Sequence, residues 1–134
     1  MAGESAVDSD DFFGVLKVPY HQTPDFQDYI VQNVDQKQLL SLMLDFLNND
    51  FNYYPVLTPK IIHFYIFSFP NEDYNEPTIE IIFPQSEAFD RSILIHEFDE
   101  QFRIYLVENA STEEEYLKYR QLSRQFRILF SVEN

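Results

Sequence analysis

The sequence predicts an α+β domain: two N-terminal helices, an antiparallel meander sheet of four to five strands, and a C-terminal amphipathic helix packed on that sheet. Three observations lead there. Helix-start signals fall at residues 23–38 and 111–115, and runs rich in β-branched and aromatic residues fill residues 60–107. The turn formers between those runs leave only short connections, which favour antiparallel neighbours because a parallel pair needs a crossover of a dozen or more residues.

Residues 1–11 carry Ala, Ser, Gly and four acids without periodicity, and read as a flexible acidic lead-in to a single domain over 12–134. FFGVLKVPY at 12–20 reads as a short edge strand ending at Pro19, since proline donates no ladder hydrogen bond. Thr23-Pro24-Asp25 starts a helix with an N-cap, a proline at the first position and an acid in the first turn. Phe26, Ile30 and Val34 follow at spacing four. Asp35 and Gln38 repeat the start signal before Leu39, Leu40, Leu42, Met43, Leu44, Phe46 and Leu47, a second helix that is apolar nearly all round and ends at Asn48-Asn49-Asp50.

Four extended runs follow: Lys60–Phe69, Thr78–Phe83, Ser92–Phe98 and Gln101–Val107. In Thr78–Phe83, Ile79, Ile81 and Phe83 share one face and Thr78 and Glu80 the other, the alternation of a half-solvated sheet. Tyr53–Leu57 adds an optional edge strand. With Gly14 the last glycine, turns fall to Asn, Asp and Pro, as in Pro70-Asn71-Glu72-Asp73 and Asn75-Glu76-Pro77. The closing helix begins at Ser111 or Thr112, whose capping boxes with Glu114 or Glu115 overlap. Its stripe is Tyr116, Tyr119, Leu122, Phe126 and Phe130, and Lys118, Arg120, Arg124 and Arg127 complement the negative helix end.

Composition bounds the function. At 134 residues and 45% hydrophobic content, with 14 Phe and 9 Tyr, the chain builds one aromatic-rich core without staples. With no cysteine, disulfides, thiolate metal sites and a Cys nucleophile fall away. The lack of glycine after Gly14 argues against phosphate-cradling loops, dinucleotide fingerprints and nucleophile elbows. No basic-apolar signal segment and no apolar run of about 20 residues is visible, which gives the expectation of a cytoplasmic protein that does not enter membranes.

His21, His63 and His96 are the residues suited to a metal or to base catalysis near neutral pH. His96-Glu97-Phe98-Asp99-Glu100 superficially resembles a zinc-protease helix, but position 100 is Glu rather than His, and a strand would point His96 and Glu97 to opposite faces. Carboxylate pairs carry no diagnostic weight among 23 acids. The expectation is a binding protein rather than an enzyme, with no catalytic residue, metal or cofactor.

Net charge is the strongest functional signal. The −14 arises within the first 100 residues, where 18 acids face Lys17, Lys37, Lys60 and Arg91, while residues 101–134 are neutral. Such a potential repels nucleic acid and anionic lipid and steers basic proteins. The expected function is therefore neutralisation of a basic protein partner, as an immunity-type inhibitor of a nuclease or toxin or as a nucleic-acid-mimicking decoy. Expected partner-binding residues are Asp45, Asp50, Tyr53, Tyr54, Glu72, Asp73, Tyr74, Glu76, Glu80, Glu97, Asp99 and Glu100. Tyrosines supply anchors within an acidic rim, and Glu97 and Asp99, two apart on a strand, would share one face about 6.6–6.8 Å apart. The alternatives are a small acidic chaperone or adaptor holding a client segment on a sheet edge or apolar groove, and a non-enzymatic structural subunit. The stretch DSDDFF at 8–13 adds a third idea, a linear docking motif.

Overall fold

The computed structural model describes residues 13–51, 58–71, 73 and 75–133. In chain order its elements are β1 (Tyr20–Gln22), α1 (Pro24–Gln32), α2 (Val34–Asp45) continuing through a π-helical turn (Phe46–Asp50), β2 (Ile61–Ser68), β3 (Asn75–Phe83), α3 (Arg91–Asn109), α4 (Glu113–Ser123) and β4 (Arg127–Val132). The chain is α+β, with its four strands in the spatial order β1-β2-β3-β4.

The sheet is mixed rather than an antiparallel meander. β2 and β3 pair antiparallel as a hairpin, whereas β1–β2 and β3–β4 are parallel. Each parallel pair is joined by a two-helix crossover, so the chain runs as two βααβ units fused through the central hairpin. The hairpin turn uses Asn71 at φ 66°, a left-handed position that Asn tolerates where no glycine is available.

The second crossover explains the largest correction. The runs Ser92–Phe98 and Gln101–Val107 are not strands; both lie in α3, a helix of 19 residues. Asp99-Glu100 supplies no proline, glycine or asparagine to break a helix. Leu94, Phe98, Phe102 and Leu106 then recur at spacing four and are all buried. Asp90 caps the helix, its carboxylate accepting from the Ile93 amide at 3.2 Å.

The C-terminal region is corrected too. α4 stops at Ser123, whose hydroxyl donates to the Arg120 carbonyl at 2.8 Å. Phe126 is therefore buried beyond the helix, and Phe130 is buried in β4. α4 packs chiefly on α2 and α3 rather than on the sheet. Its start uses Thr112, which accepts from the Glu115 amide at 3.1 Å, while Glu115 accepts from the Ser111 amide at 2.9 Å.

Near the N-terminus, the strand begins after Pro19 instead of ending there, because the Pro19 carbonyl accepts from Ile62 at 3.0 Å and opens the parallel pairing with β2. Phe13 is a buried ring against Phe64 rather than a strand residue. α1 starts at Pro24 behind Thr23 as read, but it ends at Asn33, so Val34 opens α2 and is exposed. The lead-in at 1–11 and the optional strand Tyr53–Leu57 lie outside the described residues.

Ile62 and Phe64 of β2, Ile79, Ile81 and Phe83 of β3, and Phe130 of β4 form the sheet side of the core. The helices cover that face. Phe46, on the π-helical turn, is the hub, with its ring centroid 5.1–5.6 Å from those of Phe51, Phe98, Phe102 and Tyr105. Each such ring contributes roughly 1.5–3 kcal/mol through burial. The reverse face carries His21, His63, Tyr65, Phe67, Glu80 and Arg127, none of them buried. Among the described residues no helix is long and apolar enough to cross a membrane.

Candidate functional site

The π-helical turn sets the site. By widening the last turn of α2 it buries Phe46 and Leu47 and leaves Asp45 and Asp50 exposed on the rim facing α3. α3 brings Glu97, Gln101, Ile104 and Glu108 along one stripe at helical spacing. Between the two elements lies a groove of about 540 Å³, with Asp45, Asp50 and Glu108 at its edges and Phe46, Ile104 and Tyr105 as its wall.

The electrostatics are one-sided. Asp45 accepts from the Tyr105 hydroxyl at 2.6 Å and from Asn49 Nδ2 at 2.9 Å, and Glu97 accepts from Gln101 Nε2 at 3.0 Å. Among the described residues no Lys, Arg or His forms an ion pair with Asp45, Asp50, Glu97 or Glu108. Burial, the hydrogen bond to Asp45 and then the charges of Asp45 and Asp50 push the Tyr105 phenol well above its ordinary range. The groove therefore holds Tyr105 as a neutral donor beneath a negative rim.

The other expected site residues divide among separate places. The helical geometry of α3 puts Asp99 about 200° around the axis from Glu97, not on a shared strand face. Asp99 instead faces Arg120 at 3.8 Å, and Glu100 pairs with His96 at 3.3 Å, one turn apart on the exposed side of α3. Asp73 lies exposed in the hairpin turn and Glu76 stands at the start of β3 opposite Phe67. Tyr53, Tyr54, Glu72 and Tyr74 lie outside the described residues. The sequence reading does not single out Gln101, Ile104, Tyr105 or Glu108 as site residues; the signal for three of them is the 4-3-4 spacing of Glu97, Gln101, Ile104 and Glu108, and Tyr105 falls one turn after Gln101.

Glu80 belongs to the reverse face of the sheet. Cross-strand register sets His21, His63, Glu80 and Leu129 in one row, with the two imidazole centroids 5.7 Å apart. Ser131 Oγ donates to Glu80 at 2.7 Å and the Tyr65 hydroxyl at 3.3 Å, and burial followed by the Glu80 charge raises the Tyr65 pKa. The Arg127 guanidinium sits 4.2 Å from the Phe67 ring centroid. Among the described residues no three His, Asp or Glu side chains converge as metal ligands, and this row contains no nucleophile set against a base.

No protein-family model, no curated protein and no solved structure matches this chain.

Proposed function

We propose that this protein is a non-catalytic acidic binder that captures a cationic segment of a basic protein in the groove between α2 and α3. The observation that supports this reading is a rim of carboxylates, unneutralised among the described residues, around an apolar wall: Asp45, Asp50 and Glu108 over Phe46, Ile104 and Tyr105. A lysine or arginine side chain fits such a groove in two parts, its aliphatic stem along the wall and its charged head among the carboxylates. The net charge of −14 adds long-range steering, which raises association rates at low ionic strength.

This geometry favours an inhibitor that occludes its partner over a nucleic-acid mimic. Mimicry needs a regular row of charges, whereas the acids at positions 76, 80, 99 and 100 sit on different elements and faces from those at 45 and 50. The test is fluorescence anisotropy with an Arg/Lys-rich peptide and with a peptide of the same length in which every cationic residue is replaced by glutamine, at 50–500 mM salt. The reading expects selective binding of the cationic peptide that weakens steeply with salt and falls in an Asp50→Asn/Glu108→Gln variant. Equal affinity for both peptides, or cationic binding untouched by the variant, refutes it.

A further inference from the structure

A second concavity, open to solvent, lies on another side of α3, between α2, α3, α4 and β4, with a volume of about 290 Å³. Its floor is apolar, built from Met43, Phe98, Phe126 and Ile128, and its polar edge holds Asp99 with two arginines, Arg120 in the last turn of α4 and Arg124 at the C-cap just beyond it. The geometry points to a binding site for a small organic carboxylate with an apolar tail, a class of ligand unrelated to the cationic partner of the first groove.

In a chain with nine Lys and Arg against 23 acids, two of the arginines stand together at the mouth of one apolar cavity. Arg124 makes no side-chain hydrogen bond or ion pair among the described residues. Among the described residues the Arg120 guanidinium pairs only with Asp99, at 3.8 Å, beyond the distance of a good charge-assisted hydrogen bond. Both guanidiniums therefore have donors free to take a carboxylate in the bidentate geometry that arginine favours.

Complementing the α4 macrodipole explains basic residues near that helix end. It does not explain an aromatic cavity beneath them. Phe98, Phe102, Phe126 and Phe130 line a space that a tightly packed core would fill, and its size is at the small end of ligand pockets. An apolar tail fills that space, and the carboxylate completes the arginine pair.

The experiment titrates decanoate, and separately decanol, into methyl-labelled protein below the concentration at which either aggregates. The probes are the methyl resonances of Met43, Ile95 and Ile128, with Ile104 as the reporter of the other groove. The expected result is saturable, one-to-one shifts at the first three methyls with decanoate, weaker binding of decanol, and a loss of at least about tenfold in decanoate affinity in Arg124→Ala. Arg124 is exposed, so this variant keeps the fold. Shifts without saturation, decanol binding as tightly as decanoate, or Arg124→Ala binding decanoate unchanged would each overturn the assignment. Because Ile104 reads the first groove, failure here leaves the cationic-partner reading standing, and the reverse.

Discussion

Tyr105 and Asp45 are joined by a hydrogen bond of 2.6 Å that ties the C-terminal part of α3 to the end of α2, 60 residues earlier in the chain. Tyr105 is 7% exposed, and its phenol pKa lies above the ordinary value near 10 because burial and the neighbouring carboxylates oppose phenolate. An acid with a raised folded-state pKa keeps its proton in the fold after the unfolded chain has lost it. Its contribution to stability is thus complete below about pH 10 and declines as pH rises from there towards the folded-state pKa. Tyr105→Phe is expected to cost about 1–2 kcal/mol at neutral pH, and to unfold with a shallower alkaline loss than the parent above pH 10. Urea melts followed by circular dichroism from pH 7 to 11.5 measure both.

Phe46 sits where the aromatic core converges, 1% exposed and in ring contact with Phe51, Phe98, Phe102 and Tyr105. Phe46→Ala leaves a cavity that three elements cannot all close upon. The expected loss is about 3–5 kcal/mol by chemical denaturation, against under about 1.5 kcal/mol for Phe46→Leu if the neighbours repack.

Asn48 holds the segment before β1 with both ends of its amide. Its Oδ1 accepts from the Lys17 amide at 2.7 Å and its Nδ2 donates to the Val15 carbonyl at 2.6 Å. Asn48→Ala removes both, with an expected stability cost of about 1–2 kcal/mol. The clearer readout is local: the Lys17 amide is expected to exchange with solvent at least about tenfold faster, while amides within β2 keep their protection.

Residues whose partners are near in sequence were legible, and those whose partners are distant were not. Thr23-Pro24 and Thr112 with Glu115 are local signals, and both helix starts stand. Alternation in Thr78–Phe83 set Ile79, Ile81 and Phe83 on the core side as read. Residues 92–107 misled because isoleucine, phenylalanine and leucine at mixed spacings satisfy strand and helix periods over short windows. What decides for the helix is length without a breaker, and with it the parallel pairing of β3 and β4. The groove is half legible: Asp45 and Asp50 are among the partner-binding residues expected from sequence, but pairing them with Glu108 requires residues 92–107 to be helical.

The rim itself predicts a trade between stability and binding. Asp50 and Glu108 line the same groove as Asp45 and form no ion pair among the described residues, so gathering these like charges on one rim is expected to weaken the free protein. Asp45 is the wrong residue to neutralise first, because its charge strengthens the hydrogen bond from Tyr105. Asp50→Asn/Glu108→Gln spares that bond. The double variant is expected to gain about 0.2–1 kcal/mol at 20 mM salt, a gain that shrinks towards zero by 500 mM as screening removes the repulsion it relieves. Its Tyr105 phenol, with fewer carboxylates nearby, is expected to ionise at lower pH than in the parent, which ultraviolet titration of the phenolate band follows. A stability gain unchanged across the salt series would locate the effect in packing instead, and the groove would then hold no stored repulsion for a cationic partner to relieve.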